Sequence, residues 1–238
     1  MASDVRYQPS LFGGSEPSFD PSFSALQRIF LDEGAWLDLA PGWVTGSDQL
    51  FDQLLLVTPW AQRSRWLYDR HVPEPRMTAR WTLASGERLE PSILDGMRRA
   101  LSARYGVVFD SAGFNLYRDG RDGVAWHRDK IRKEIADPIV SLVSLGEPRK
   151  LMFRPRRGGR SRAFPVGRGD LLVTGGSTQR TWEHAVLKVA RAGPRVSIAF
   201  RYGLDPSAYG RDGTSPASPG RGQNVVKDGD DDEERMSP

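Results

Sequence analysis

After Gly106 the sequence is built from short runs rich in β-branched and aromatic residues, with glycine, proline and arginine between them. The runs cover residues 114–117, 139–145, 150–154, 170–174, 186–189 and 195–202. Many short strands joined by tight turns are typical of an antiparallel sheet that rolls up on itself. We therefore predict a rolled sheet in the second half of the chain.

The first half of the sequence has a different spacing of apolar residues. Residues 23–31, 47–56 and 91–105 carry apolar side chains at helical spacing, as in Ile93, Leu94, Met97 and Leu101. Three helices ahead of a rolled sheet, in a chain with 25 Gly and 17 Pro, predict an α+β fold with the helices on one side of the sheet.

Both ends of the chain differ from the middle. Residues 1–21 are rich in Ser, Gly and Pro, and residues 204–238 combine these with an acidic run, so we predict that both segments are disordered. One domain over residues 22–203 follows. The first residues contain no apolar signal core and no stretch is apolar enough to span a membrane, which predicts a cytoplasmic protein without membrane contact, expected to be a monomer.

The charge is unevenly distributed. Of 34 Lys/Arg and 30 Asp/Glu residues, four and eight respectively lie from Leu204 onward, so the preceding body carries a formal charge of +8. A basic body favours polyanions such as nucleic acid, although many basic domains bind none.

The absence of cysteine restricts any metal site to His, Asp and Glu, and the chain has only three histidines. His127 and Asp129 are two apart, so on extended backbone both point to one face. His184 is the only histidine downstream, and two His with one carboxylate form the facial triad that binds iron(II) and leaves positions open. By itself a His-x-Asp pair is weak evidence for a metal site, and it favours the alternative that His127 and His184 are unrelated surface or core histidines.

Residues 195–201 supply a second signal. Strand alternation places Arg195, Ser197 and Arg201 on one face and apolar side chains on the other. An inward guanidinium needs an anionic partner, which a dicarboxylate cosubstrate provides, while surface salt bridges are the alternative.

Taken together, these segments resemble the AlkB family of iron(II) and 2-oxoglutarate-dependent dioxygenases. The resemblance extends from about Arg76 to Tyr202 and includes Asn115 to Asp129, Gly169 to Gly176, Trp182 to His184 and Arg195 to Arg201, in order and spacing. It implies a double-stranded β-helix (jelly-roll) core over about residues 107–203, a nucleotide-recognition region over about 70–90, and iron(II), 2-oxoglutarate and O2 as cofactor and cosubstrates.

Carried over to this sequence, the resemblance implies that His127, Asp129 and His184 bind iron and that Arg195 pairs with the far carboxylate of 2-oxoglutarate. Arg201 is placed near the keto-acid end. Further cosubstrate contacts are implied for Asn115, Tyr117 and Ser197. For Asn115 and Tyr117, a turn residue and a core residue are the alternatives.

On the substrate side, the resemblance places Trp81 against the target base, where a cationic alkylated base would gain cation–π attraction. A core position is the alternative for this tryptophan. Substrate contacts are also expected from Arg76, Trp126, Arg128 and Lys130. The arginine-rich segment 154–162 predicts a hairpin-like loop. This loop either contacts phosphates or is merely solvated.

Two departures from the family pattern stand out. Basic residues and Ile131 follow Asp129 where family members have acidic ones, and Ser197 replaces an asparagine. The expected function is oxidative removal of alkyl groups from bases in single-stranded or flipped-out DNA, as in DNA repair, or in RNA. The same chemistry on a modified tRNA base, a protein side chain or a small molecule is an alternative, as is a non-catalytic nucleic-acid-binding module.

Overall fold

The computed structural model describes residues 15–67 and 69–204. Three α-helices, α1 (Ser47–Val57), α2 (Ile93–Tyr105) and α3 (Thr178–Thr181), and a short 3-10 helix at Leu83–Ser85 accompany a largely antiparallel β-structure. In chain order the strands are β1 (Ser18–Phe19), β2 (Gln27–Phe30), β3 (Ala35–Ala40), β4 (Val44–Thr45), β5 (Ser64–Leu67), β6 (Arg70–Pro73), β7 (Met77–Thr82), β8 (Ser111–Tyr117), β9 (Val124–His127), β10 (Val140–Gly146), β11 (Arg149–Pro155), β12 (Arg162–Val166), β13 (Asp170–Gly176), β14 (Trp182–Val186) and β15 (Arg195–Arg201).

A seven-stranded sheet in the order β2-β3-β13-β10-β15-β8-β7 forms the larger half of the fold. One face of this sheet packs against α1 and α2. Their buried apolar side chains are Leu50, Phe51 and Leu54 in α1, and Leu94, Met97 and Leu101 in α2. The helical spacing of these residues produces the apolar stripe that each helix buries. The predicted helices 47–56 and 91–105 are confirmed.

The other face of the large sheet meets a four-stranded sheet in the order β12-β11-β14-β9. A second apolar cluster contains side chains of both sheets, among them Leu37 and Leu172 from the large sheet and Phe153 and Val186 from the small one. Two facing antiparallel sheets with helices on one outer side confirm the predicted α+β jelly-roll architecture. The interior between the sheets is where polar residues of β15 and β8 are directed.

The prediction of a helix at residues 23–31 is wrong. Phe23 has a positive φ of 55° and residues 27–30 form the edge strand β2, paired with β3. The apolar spacing that mimics a helix is overridden by tertiary contacts, because Arg28 pairs through two hydrogen bonds with buried Asp38 across the strand pair.

Two further boundaries differ from the sequence prediction. The strand predicted at 186–189 lies upstream, at Trp182–Val186, and Leu187 and Val189 are exposed. Residues 18–19, inside the segment 1–21 predicted to be disordered, pair with β4. Of the segment 204–238, which is predicted to be a disordered acidic tail, only Leu204 is among the described residues. Residues 1–14 also lie outside the described residues. Among the described residues, no helix is both long and apolar enough to cross a membrane.

Candidate metal and cosubstrate site

His127 and His184 are direct cross-strand partners on β9 and β14, and their ring centroids are 4.3 Å apart. Asp129 follows β9 by two residues. One possible ligand atom from each of the three side chains lies within 4.8 Å of the others, and no other such group of His, Asp and Glu exists among the described residues. The structure therefore brings together the three side chains predicted as ligands.

Both imidazoles are prepared for coordination. The Nδ1–H of His127 donates to the carbonyl of Ala125 at 2.8 Å, which leaves Nε2 with a free lone pair. Burial lowers the pKa of His127, and burial together with the charge of His127 lowers the pKa of His184 to about 3. Neutral rings are the form in which histidine binds metals.

Asp129 is held from two sides. Its Oδ1 accepts a hydrogen bond from Nε of Arg201 at 2.8 Å, and its backbone N–H donates to Oε1 of Gln179 at 3.1 Å. Burial alone would raise the pKa of this carboxyl, but Arg201 and the two histidines hold the pKa below its usual value. Asp129 is therefore a carboxylate at neutral pH, with one oxygen bound to Arg201 and the other available.

Arg195 is fully buried between the sheets. Its Nε donates to Oγ of Ser144 at 2.7 Å, and Ser144 is fixed in turn by donating to the carbonyl of Val166. Nη1 and Nη2 of Arg195 have no hydrogen-bond partner within the described part of the chain. A buried guanidinium with two unpaired donor groups is a site for a carboxylate, because leaving such donors unpaired costs several kcal/mol.

Cross-strand pairs on β15 and β8 form the wall beside Arg195. In register, Arg195 opposes Tyr117 and Ser197 opposes Asn115. The guanidinium carbon of Arg195 lies 5.2 Å from the Tyr117 ring centroid, and Nδ2 of Asn115 donates to Oγ of Ser197 at 3.4 Å. The amide oxygen of Asn115 accepts from Nε of Arg76 at 3.1 Å. All four predicted cosubstrate residues on this wall thus lie on one polar face.

Arg201, at the far end of β15, passes close to Gly113 of β8, which lies opposite Ala199. A Cβ added to Gly113 would lie 2.8 Å from Nη1 of Arg201. The guanidinium therefore crosses β8 where a side chain is missing. In the structure Arg201 contacts the carboxylate of Asp129. Its position near the keto-acid end of the cosubstrate stays a prediction.

The proposed contact of Trp81 with a target base is corrected by the structure. Trp81 is buried in the main core cluster, and its Nε1–H donates to the carbonyl of Glu87 at 2.9 Å. Alternation along β7 turns this side chain toward the helices. Arg76, from the same predicted recognition segment, also binds within the protein, to Asn115 and Glu74.

The remaining predicted substrate residues surround the metal ligands on β9 and the following loop. Trp126 precedes His127 and lies on the outer face of the small sheet, where the guanidinium carbon of Arg154 is 4.4 Å from its ring centroid. This position does not support substrate contact by Trp126. Arg128 and Lys130 are exposed on both sides of Asp129.

Sequence reasoning missed Ser144, Gln179, Gly113 and Arg180. The side chain of Arg180 donates to the carbonyls of Arg132 and Ile135 at 2.7 and 2.6 Å, and so fixes the loop that follows Asp129. Each of these residues acts on a partner tens of positions away in the sequence. Only an alignment could have marked them, because a serine, glutamine or glycine has no local signature of such a role.

The fold and this site define a class. Two imidazoles on the small sheet of the jelly roll and a carboxylate from the loop after β9 form the facial triad of non-haem iron(II) oxygenases, and the unpaired donors of Arg195 fit the dicarboxylate that such enzymes use. The sequence profile of the 2OG-Fe(II) oxygenase superfamily matches residues 45–201. The chain therefore belongs to this superfamily, whose cofactors are iron(II) and 2-oxoglutarate.

Within the superfamily, the chain is similar to AlkB homologues, which confirms the resemblance found in the motifs. It is 30% identical over 185 residues to human alpha-ketoglutarate-dependent dioxygenase alkB homolog 3, covering 68% of this chain and 64% of that protein. It is 28% identical over 192 residues to DNA oxidative demethylase ALKBH2 of Arabidopsis thaliana, covering 63% and 60%. The chain thus spans somewhat less than two thirds of the length of these relatives.

Solved structures support the fold. The structure of OsALKBH1 superposes with a TM-score of 0.55 at 13% identity, covering 74% of this chain and 99% of that one. A prolyl hydroxylase from Trichoplax adhaerens, solved with a hypoxia inducible factor peptide, superposes with a TM-score of 0.52 at 13% identity, covering 72% and 84%. At this identity the likeness concerns the fold alone.

Proposed function

We propose that the chain is a dioxygenase that oxidatively removes alkyl groups from N-alkylated nucleobases. The single observation that carries the oxygenase part is Arg195, a buried guanidinium with two unpaired nitrogens beside a His-Asp-His cluster. A buried cation without a partner is unfavourable in the protein alone and becomes favourable once a dicarboxylate binds.

Different residues of the chain would bind the metal and the cosubstrate. His127, Asp129 and His184 would hold iron(II), and Arg195 would bind the far carboxylate of 2-oxoglutarate, aligned by Ser144 and Tyr117. Asn115 and Ser197 line the same face between Arg195 and Arg201. With iron(II) and 2-oxoglutarate bound, oxidation of an N-alkyl carbon by O2 becomes possible, with succinate, carbon dioxide, an aldehyde and the dealkylated base as products.

The nucleic-acid part of the proposal rests on the relatives and on charge. Two relatives are named as an alkB homolog dioxygenase and a DNA oxidative demethylase. Arg128 and Lys130 are exposed beside Asp129, where they can contact phosphates next to a base held at the metal. Positively charged residues at these positions do not attract a positively charged base as acidic side chains would. We therefore expect contacts with the phosphate backbone to provide most of the affinity for nucleic acid.

The test is turnover of defined substrates. Purified protein is incubated with iron(II), ascorbate, 2-oxoglutarate and single-stranded DNA, duplex DNA, RNA or bulk tRNA carrying methylated bases, and succinate and base masses are followed. Activity is expected on methylated DNA or RNA oligonucleotides, lost in His127→Ala and kept in Lys188→Ala, which alters an exposed side chain outside the cluster.

Other outcomes separate the alternatives. Succinate formed only with tRNA or a protein substrate would overturn the DNA-repair assignment and keep the oxygenase one. Oligonucleotide binding without succinate from any substrate would favour a non-catalytic binding module. A cytoplasmic location and a monomeric state stay predictions.

A further inference from the structure

Two exposed segments beside the site carry a concentration of positive charge. The loop at residues 130–135 and the turn at 156–161 between β11 and β12 together expose six cations against one acid, Glu134. We call these cations the basic rim: Lys130, Arg132, Lys133, Arg156, Arg157 and Arg160. The turn confirms the hairpin predicted from the arginine-rich sequence.

Helix α3 joins the two segments of the rim. The guanidinium of Arg180 donates to the backbone carbonyls of Arg132 and Ile135, which fixes the first segment. In the second, the backbone N–H of Arg156 donates to the carbonyl of Thr181 at 2.9 Å, and its guanidinium contacts the carbonyl of Arg180 at 3.5 Å. The two segments that carry the rim cations are therefore both held against the same four-residue helix.

The chain leaves the described domain next to this surface. Leu204 forms an antiparallel bridge with Ile131, and the backbone N–H of Arg132 donates to the carbonyl of Gly203 at 3.0 Å. The sequence that follows contains six acidic residues within 228–234: Asp228, Asp230, Asp231, Asp232, Glu233 and Glu234. The 23 intervening residues can span up to about 80 Å, so this acidic run can reach any part of the rim.

We propose that the basic rim is the docking surface of the acidic run 228–234 of the same chain, which thereby competes with the polyanionic substrate. Two independent features support this occupant: six negative charges in seven residues complement the six cations of the rim, and the tail starts from a hydrogen-bonded position within the rim loop. The inference rests on the proposed function only in naming nucleic acid as the polyanion that competes with the acidic run.

The physical basis is effective concentration. Exposed ion pairs are individually weak, but a tethered partner acts at a local concentration in the millimolar range, so several weak pairs suffice for partial occupancy. A nucleic acid that makes more phosphate contacts displaces the tail. Because such contacts are screened by salt, docking should be strong at low ionic strength and lost near 1 M salt, where the Debye length is about 3 Å.

Docking is measured directly by energy transfer in the full chain. The protein contains no cysteine, so labels can be attached through Ser237→Cys combined with Ser161→Cys on the turn, or with Ala103→Cys on α2 as the reference position. Transfer between 161 and 237 is expected to be high at low salt, to fall at high salt, and to fall when a single-stranded oligonucleotide is added. Replacing the six tail acids by Asn or Gln should abolish the salt dependence.

A second set of variants links docking to the rim. In Arg157→Gln/Arg160→Gln the transfer should drop to the level of the neutral tail, whereas Lys188→Gln/Arg191→Gln, which removes two exposed charges elsewhere, should leave it unchanged. The neutral tail should also lower KM for a methylated oligonucleotide about threefold to tenfold with kcat unchanged, and this gain should disappear in the rim variant.

Equal transfer in the original and neutral-tail proteins, or an equal change in the rim and control variants, would overturn the inference. If the transfer behaves as expected while no nucleic acid is turned over, the docking inference stands and the proposed function fails. If oligonucleotides are turned over with a KM that the tail charges do not alter, the proposed function stands and the docking inference fails.

Discussion

Arg201 and Asp129 are 72 positions apart in the sequence, and Nε of Arg201 donates to Oδ1 of Asp129 at 2.8 Å. This contact fixes the rotation of the carboxylate and lowers its pKa, so that one oxygen faces the two histidines. Strand β15 of the large sheet thus orients a ligand contributed by the loop after β9. Groups that orient metal ligands in this way commonly affect metal affinity by one or two orders of magnitude.

Gly113 leaves room for the guanidinium of Arg201, and Gly113→Ala tests this contact. The new methyl group would lie 2.8 Å from Nη1 of Arg201, so the guanidinium must shift, and we expect this shift to weaken its hydrogen bond to Asp129. We expect about 10-fold to 100-fold weaker Mn(II) binding by calorimetry, with a small change in thermal stability. Gly96→Ala, in α2, should leave Mn(II) affinity unchanged, and unchanged affinity in Gly113→Ala would contradict the role of Arg201.

Trp81→Phe tests the placement of this tryptophan in the core. Loss of the indole hydrogen bond to Glu87 and of buried volume should lower the free energy of unfolding by about 1 to 3 kcal/mol in urea titrations. KM for a methylated oligonucleotide should stay the same, whereas Lys130→Gln should raise it. A higher KM in Trp81→Phe without a loss of stability would restore the base-stacking assignment.

The pH dependence of the metal-free protein follows from the buried imidazoles. The pKa values of His127 and His184 are lowered in the folded state, so unfolded chains bind protons below about pH 6.5 that folded chains do not. Their contribution to stability is present above pH 6.5 and is lost as the pH falls. Urea unfolding with a chelator should show a free energy of unfolding that decreases from pH 7 to pH 5.

His184→Gln provides the control for this pH effect. Removing one of the two buried imidazoles should reduce the proton uptake on unfolding by up to about one proton, and so flatten the decrease. His71→Gln alters an exposed histidine and should leave the slope as it is. Equal slopes in His184→Gln and the original protein would contradict the assignment of a neutral, buried His184.

The sequence predicted the parts of the site that are local in the chain. The alternation of residues 195–201 and the spacing of His127 and Asp129 are set by strand geometry, so their faces could be assigned without coordinates. Residues 23–31 and Trp81 could not be placed, because an apolar spacing does not reveal which partner buries it. The supports from Ser144, Gln179 and Arg180 depend on contacts created only by folding.

The central claim is that Arg195 binds the far carboxylate of 2-oxoglutarate, and calorimetry of Arg195→Met with Mn(II) present tests it most directly. Affinity for 2-oxoglutarate should fall by about 30-fold or more, because truncating one partner of a buried charge pair costs about 2 kcal/mol or more. Affinity for 2-oxopentanoate, which lacks the far carboxylate, should change little, and the metal-free variant should be at least as stable as the original protein. Equal losses for the two keto acids, or no loss for 2-oxoglutarate, would contradict the account.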